Sequence, residues 1–294
     1  MMMGRTPRPD DIHASMAPDH LTERDYAQLA EIVERHAGIK MPVGKRLMVE
    51  GRLRRRARAL GLPSLNAYCH YLFGQGGLDD EFQQVVDAIT TNKTDFFREP
   101  IHFERLVDTI IPDLLDSTGA GRSRPLDVWS AACSSGPEPY TLAMVLSDVA
   151  AERPGFRFSI GASDISHDIL QAAARAVYPE QMIEPVPQDM RRRYLLRSRD
   201  QERPTVRICP ELRQQVTFRD FNLLTKGSPW QRPMDVIFCR NVLIYFSPET
   251  QQAVLANLCD SLRSGGYLLV GHSESLNNLD LPVTPVGPAM YRRK

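Results

Sequence analysis

Asp164 follows an apolar run at 157–162, and a carboxylate in that position can accept hydrogen bonds from both hydroxyls of a ribose. Asn222 in Phe221-Asn222-Leu223-Leu224 and Asn241 in Arg240-Asn241-Val242 carry amides whose donor and acceptor suit an adenine edge. Ala131-Ala132-Cys133-Ser134-Ser135-Gly136 is a run of small residues between an apolar stretch and a helix opened by Pro137 and Glu138. Proline suits a first helical position because its missing N–H would lack a partner there anyway. Glu138 would repel a pyrophosphate at that helix start but would accept hydroxyls or a cation. With a single glycine the run is not G-x-G-x-x-G, and Asp164 lies 28 residues beyond Gly136, farther than the roughly 20 of NAD folds. The set points away from NAD and towards a ligand with ribose and positive charge, such as S-adenosylmethionine. Each residue also has a plainer reading: Asp164 as the cap of a helix near His167, the asparagines as turn residues, the small run as tight packing.

Other chemistries find less support. Gly271-His272-Ser273-Glu274-Ser275 narrowly misses the hydrolase nucleophile elbow, because Ser275 stands where glycine is needed, and no P-loop is present. The five cysteines, Cys69, Cys133, Cys209, Cys239 and Cys259, form no C-x-x-C, and no histidine pair has zinc-ligand spacing. No metal is therefore expected, and reduced thiols in a cytoplasmic protein are the simplest account. Lys+Arg and Asp+Glu both number 36 in 294 residues, so no global field draws nucleic acid or membrane. No apolar run approaches the roughly 18 residues that span a bilayer.

The elements that must hold these residues alternate. Strand 126–130 leads to helix 137–150, Arg157–Ala162 to helix His167–Val177, and Met234–Cys239 to helix Pro248–Arg263. Tyr267–Val270 and a closing segment Val283–Arg292 follow. This order predicts an α/β fold, a mostly parallel sheet covered on both faces, with ligands bound beyond the carboxyl ends of its strands. Residues 178–220, with Tyr194–Leu196, Val206–Cys209 and Thr217–Phe218, break the alternation and read as a small antiparallel β insertion. Before the sheet, Thr22–Gly38, Lys45–Leu60, Ser64–Phe73 and Asp79–Thr90 carry apolar residues at helical spacing, an all-α domain over 21–90. Thr22-Glu23-Arg24-Asp25 resembles a capping box. Residues 1–20 read as a disordered tail, 91–117 as a linker and connecting helix, and 118–294 as the ligand-binding domain.

With these residues in place the chain resembles the chemotaxis receptor methyltransferases, the CheR family, over about residues 22–292. The likeness rests on TTNKTDFFREPIHF at 90–103, WSAACSSGPEPYTLAM at 129–144, ASDIS at 162–166, FNLL at 221–224, FCRNVLIYF at 238–246 and GHSES at 271–275. The resemblance implies a helical domain on a Rossmann-like class I methyltransferase domain. It implies methyl transfer from S-adenosylmethionine to receptor glutamates, giving glutamyl methyl esters and S-adenosylhomocysteine. Cofactor contacts carried over by motif are Asn92, Thr94, Arg98, Glu138, Asp164, Asn222, Leu223, Asn241 and Val242. Pro137 stands where many relatives carry the first of two glutamates, so only Glu138 is carried. The implied partner is the cytoplasmic helical domain of a transmembrane chemoreceptor, approached by a monomer without membrane insertion.

A glutamate carboxylate, with an ordinary pKa near 4.3, is already an anionic nucleophile at neutral pH, so the reaction calls for positioning rather than a general base. Arg98 is the candidate to orient the incoming carboxylate, and Tyr245 the candidate to border the methyl group, with plain packing as the alternative for Tyr245. Arg52, Arg55 and Arg56 share one face of the second helix with no acidic residue at i+4. They are expected free in solvent, as a docking surface for an acidic receptor helix. Two rival functions remain at this level. One is an RNA methyltransferase gripping phosphate with those arginines, opposed by the neutral chain and the lack of a basic, aromatic-rich stretch. The other is a non-catalytic S-adenosylmethionine-binding regulator.

Overall fold

The computed structural model describes residues 19–90, 93–276 and 279–294. The chain divides into two compact units, one formed by residues up to 32 with 41–89, the other by 33–40 with 90–294.

The first unit is helical. It holds the start of α1 (Glu23–Ala37), then α2 (Arg46–Ala59), α3 (Leu65–Gly74) and α4 (Leu78–Ile89). Leu29, Val49, Leu53, Leu65, Tyr68, Leu72, Val85 and Ile89 are fully buried between them, as their helical spacing demands. Thr22 caps α1 by accepting the Asp25 N–H at 3.0 Å, but Asp25 takes the Thr22 hydroxyl rather than its backbone N–H, so only half of the expected capping box forms. Asp19 and His20, expected in the tail, are tied down: Asp19 accepts the Leu65 N–H at 2.7 Å and His20 meets Glu50 at 2.8 Å. Residues 1–18 lie outside the described residues.

The arginine face of α2 differs from expectation. Arg56 makes a two-pronged pair with the buried Glu81 on α4, both contacts 2.6 Å. Arg54 pairs with Asp19 at 3.3 Å, and Arg52 donates to the Ala88 carbonyl at 3.1 Å. The acidic partners lie on other elements, where i+4 spacing cannot show them. Arg55 and Arg58 are exposed.

The second unit is an α/β sheet of seven strands in the order β6-β2-β1-β7-β8-β10-β9. Its strands are β1 (Leu126–Ala131), β2 (Phe158–Asp164), β6 (Val216–Asp220), β7 (Met234–Cys239), β8 (Leu262–Val270), β9 (Val283–Gly287) and β10 (Met290–Arg293). The β6-β2-β1-β7-β8 portion is parallel, and β9 and β10 add antiparallel at one edge. Every residue of β1 and β7 is buried, as central parallel strands covered on both faces require. Val128, Ile160, Ala162, Val236 and Phe238 form one core with Phe103, Leu106, Ile110, Leu142 and Leu146. These come from the helical run α5 (Ile101–Arg105), a π-helical turn Leu106–Ile110 and α6 (Ile111–Thr118), and from α7 (Pro137–Glu152). Helix α8 (His167–Arg175) follows β2, and β3 (Val177–Pro179), α9 (Gln188–Tyr194), β4 (Leu195–Arg197) and β5 (Thr205–Ile208) build the insertion, an antiparallel sheet in the order β3-β5-β4. After the short α10 (Pro210–Arg213), β6 leaves the insertion and pairs parallel with β2, so Thr217 and Phe218 belong to the main sheet. Helix α11 (Pro248–Ser261) connects β7 to β8.

The chain moves outward from β1 to β2 and β6, then crosses back to β7 on the other side of β1. The carboxyl ends of β1 and β7 therefore flank the topological switch point, where an open α/β sheet leaves a crevice.

Candidate functional site

The turn after β1 is shaped by three left-handed residues, Ala132 (φ 59°), Ser134 (φ 52°) and Gly136 (φ 97°). At Gly136 a Cβ would stand 2.8 Å from the Tyr178 hydroxyl and 3.0 Å from Ala173, so both backbone and space demand glycine. Among the described residues seven non-glycines adopt positive φ, and five of them, Phe97, Glu99, Ala132, Ser134 and Asn241, lie in the loops at this end of the sheet or in the segment before α5. Such a conformation costs on the order of 1–3 kcal/mol each, and its concentration here marks a site whose geometry is held by its surroundings.

Asp164, nearly buried at the end of β2, accepts the Ser134 N–H at 2.8 Å and the Ser166 N–H at 3.1 Å. Capping does not account for it, because Ser166 is the residue that caps α8, through the Ile169 N–H at 3.3 Å. Its carboxylate ties the β1 turn to the β2 end instead.

Arg240, at the end of β7, is the buried hub. Its guanidinium donates to Glu138 Oε2 and to Glu99 Oε2, both at 3.0 Å, and to the carbonyl of Arg98. Glu138 also accepts the Ser130 hydroxyl at 2.7 Å, so the negative charge expected at the α7 start is partly neutralised. Asn241 donates its side-chain amide to Glu99 Oε1 at 3.2 Å. Below it, buried Glu274 from the GHSES stretch accepts the backbone N–H groups of Gly271 at 2.7 Å, Leu243 at 2.8 Å and Asn241 at 2.9 Å. Burial raises the Glu274 carboxyl above its ordinary range against the opposing pull of those N–H donors. Burial also acts to raise Glu99, but the Arg240 hydrogen bond and charge, with Asn241 and the His272 N–H, outweigh it and hold Glu99 low. His102, fully buried one helical turn after Glu99, is pushed down to about 4 by burial and by the Arg240 charge, and so is neutral.

The remaining sequence-derived residues are placed as follows. Arg98 is half-buried and donates to the Lys93 carbonyl at 3.3 Å, and Thr94 is half-buried in the same segment. Asn92 lies outside the described residues. Asn222 uses its amide in the fold, donating to the His36 carbonyl at 2.5 Å and accepting the Leu224 N–H at 3.0 Å, which is its turn-residue role. Leu223 is buried, and Val242 is half-buried beside Asn241. Tyr245 ends a short helical turn, Leu243–Tyr245, half-buried, with its carbonyl held by the Lys40 N–H at 2.9 Å. Glu138, Arg98 and Asn241 are thus drawn together through Glu99 and Arg240, two residues that sequence reasoning gave no role. An arginine directly after the apolar run Val236–Cys239 was the available signal, since it needs buried acidic partners wherever it is not solvated.

Two carboxylates, Glu99 and Glu138, meet the single guanidinium of Arg240, and Asp164 adds a further carboxylate at the end of β2, leaving an excess of negative charge. Such a set accepts a cationic ligand and disfavours a pyrophosphate. A cavity of about 290 Å³ lies elsewhere on the sheet, lined by Asp127, Ser159, Gly161, Trp230 and Arg232 among others, and none of its lining residues belongs to the carboxyl-end loops.

Comparison with known proteins adds the context. Residues 92–288 match the family described as CheR methyltransferase, SAM binding domain, and residues 24–90 match CheR methyltransferase, all-alpha domain. The chain is 38% identical over 273 residues to chemotaxis protein methyltransferase 2 of Pseudomonas aeruginosa, covering 92% of this chain and 94% of that protein. It is 36% identical over 271 residues to the chemotaxis protein methyltransferase of Escherichia coli, covering 92% and 91%. For the protein of that name in Borreliella burgdorferi the identity is 33% over 276 residues, covering 93% and 95%.

Proposed function

The chain belongs to the CheR methyltransferase family, and from that membership we propose that it methylates glutamate side chains on the cytoplasmic helical region of a chemoreceptor, forming glutamyl methyl esters. The observation that supports this most is the carboxylate-rich cradle at the β1/β7 switch point with Asp164 at the end of β2. Its chemistry fits S-adenosylmethionine: Asp164 offers acceptors for ribose hydroxyls, and the excess negative charge suits a sulfonium. When bound, that cofactor supplies an electrophilic methyl group.

The residues of this chain have the remaining tasks. The substrate carboxylate is ionised at neutral pH, so no proton need be removed from it. Arg98 orients it through its planar fork, and Arg240 fixes the Arg98 backbone from below. Tyr245 borders the transferred methyl, and Asn241 is held by Glu99 against the β7 end. Holding acceptor and donor in line supplies roughly 7–11 kcal/mol of barrier reduction, and no general base is involved. Arg55, the exposed member of the arginine trio, contacts the receptor helix. Incubation with a labelled methyl donor and receptor-containing membranes tests the proposal. Base-labile methanol released from labelled receptor supports it, and label only in RNA, or none, refutes it.

A further inference from the structure

We propose that Glu99, His102 and His272 form a binding site for a divalent transition-metal ion of the zinc class. The ligand atoms of the three side chains all lie within 4.8 Å of one another. His102 Nδ1 stands 3.6 Å from Glu99 Oε2, and His272 Nε2 stands 3.9 Å from the same oxygen. These separations are too long for hydrogen bonds. They are close to the roughly 3.4 Å between two ligands that share one tetrahedral zinc with bonds of about 2.1 Å. A contraction of at most about 1.4 Å closes the set, and the half-exposed His272 has room to supply it.

The independent sign of a missing partner is His102. Its side chain is wholly buried; the Pro288 backbone is within reach of the ring, while Nδ1, which faces Glu99, has no hydrogen bond of good geometry among the described residues. Buried polar nitrogens without partners are rare and point to a water or an ion between the groups they face. The imidazole faces a carboxylate and a second imidazole, with the two rings edge to face at 4.9 Å. Water would leave two imidazoles competing for one carboxylate oxygen, whereas a metal takes a lone pair from each. Two imidazoles and one carboxylate favour zinc, nickel or cobalt over the hard cations magnesium and calcium.

The surroundings suit the ion. Glu99 Oε1 is held by Asn241, leaving Oε2 to ligate, and the His272 N–H at 3.3 Å orients that oxygen. Arg240 also touches Oε2, but Glu138 and the Arg98 carbonyl retain its guanidinium when the metal draws on Glu99. His272 is 48% exposed, so an ion can reach the set from solvent.

The test uses the full chain, stripped of metal with a chelator and titrated with Co²⁺ and Zn²⁺, with Mg²⁺ as control. One saturable equivalent of Co²⁺ with visible d–d absorption is expected, together with a rise in Tm on adding Zn²⁺. His272→Ala, at an exposed side chain, is expected to weaken binding at least tenfold. His102→Phe, which removes both ring nitrogens while filling the space, is expected to do the same with the fold intact by circular dichroism. No saturable binding, binding unchanged in His272→Ala, or equal binding of Mg²⁺ overturns the proposal. None of these readouts depends on methyl transfer, so failure of the metal site and failure of the proposed reaction are separable.

Discussion

Replacing Arg240 with methionine removes a cation that meets both Glu99 and Glu138 and that also holds the Arg98 carbonyl. Hydrogen bonds to charged groups are worth roughly 1.5–3 kcal/mol each, so simple addition over the three contacts gives about 4.5–9 kcal/mol. That sum is too large, because the contacts share one guanidinium and the two carboxylates keep 15% and 14% of their side-chain surface exposed, enough for water to reach them. Breaking a buried pair by removing one partner costs about 3–5 kcal/mol, and partial solvation puts this case near the lower end, about 3 kcal/mol. For a unit of this size, at roughly 2–4 °C per kcal/mol, Tm should fall by about 6–12 °C. Differential scanning calorimetry of wild type, Arg240→Met and the triple variant Arg240→Met/Glu99→Gln/Glu138→Gln measures it. Most of the loss comes from stranded negative charge, so the triple variant should recover a large part of the stability. It should not recover affinity for S-adenosylmethionine, because two of the carboxylates that suit a sulfonium are gone. An unchanged Tm in Arg240→Met, or a triple variant less stable than the single one, refutes the view that Arg240 organises this end of the sheet.

Asp164→Ala removes the acceptor of the Ser134 N–H and, in the proposed function, of two ribose hydroxyls, each worth roughly 1.5–3 kcal/mol; calorimetry should show greatly weakened S-adenosylmethionine binding, and unchanged affinity would leave Asp164 a purely structural link. Arg98→Lys keeps the charge but loses the fork, so turnover should fall more than cofactor affinity, and near-wild-type turnover removes the orienting role. Arg55→Glu should raise the apparent KM for receptor several-fold at low salt with Tm unchanged, whereas Arg56→Glu should lose about 3–5 kcal/mol by stranding Glu81; equal effects of the two on KM and Tm contradict the division. The Arg56 hydrogen bond holds the Glu81 carboxyl low, so its contribution to stability is complete above the unfolded carboxyl pKa near 4.3 and disappears as pH falls through the lower folded value. Urea unfolding between pH 6 and about 3 should show that loss in the wild type, and an Arg56→Met variant that loses stability just as steeply argues against the pair.

The alternation of apolar strands and amphipathic helices was legible in the chain because period and length are local properties. The sheet's order was not. β6 joins β2 rather than the insertion because Val216–Asp220 finds a parallel partner more than fifty residues earlier, a pairing no window of sequence contains. Asp164 was visible as a polar residue ending an apolar run. That it does not cap α8 became decidable only when Ser166 was seen to do so. The arginine face of α2 shows the opposite error. Spacing along one helix finds i+4 partners and is blind to Glu81 and Asp19 on other elements, so arginines read as free are engaged in the fold.

The sequence by itself determined the residue types at the strand ends, the helical character of 21–90 and the family likeness, since each is carried by composition and order within short stretches. Tertiary structure alone decided which of those residues meet. Arg240 reaches Glu99 and Glu138 across more than a hundred residues of chain, and His272 comes to His102 across 170. The physical reason is that a buried charge or ring nitrogen is satisfied by whatever the packed strands and loops bring within about 3–4 Å of it, and separation along the chain does not encode that distance.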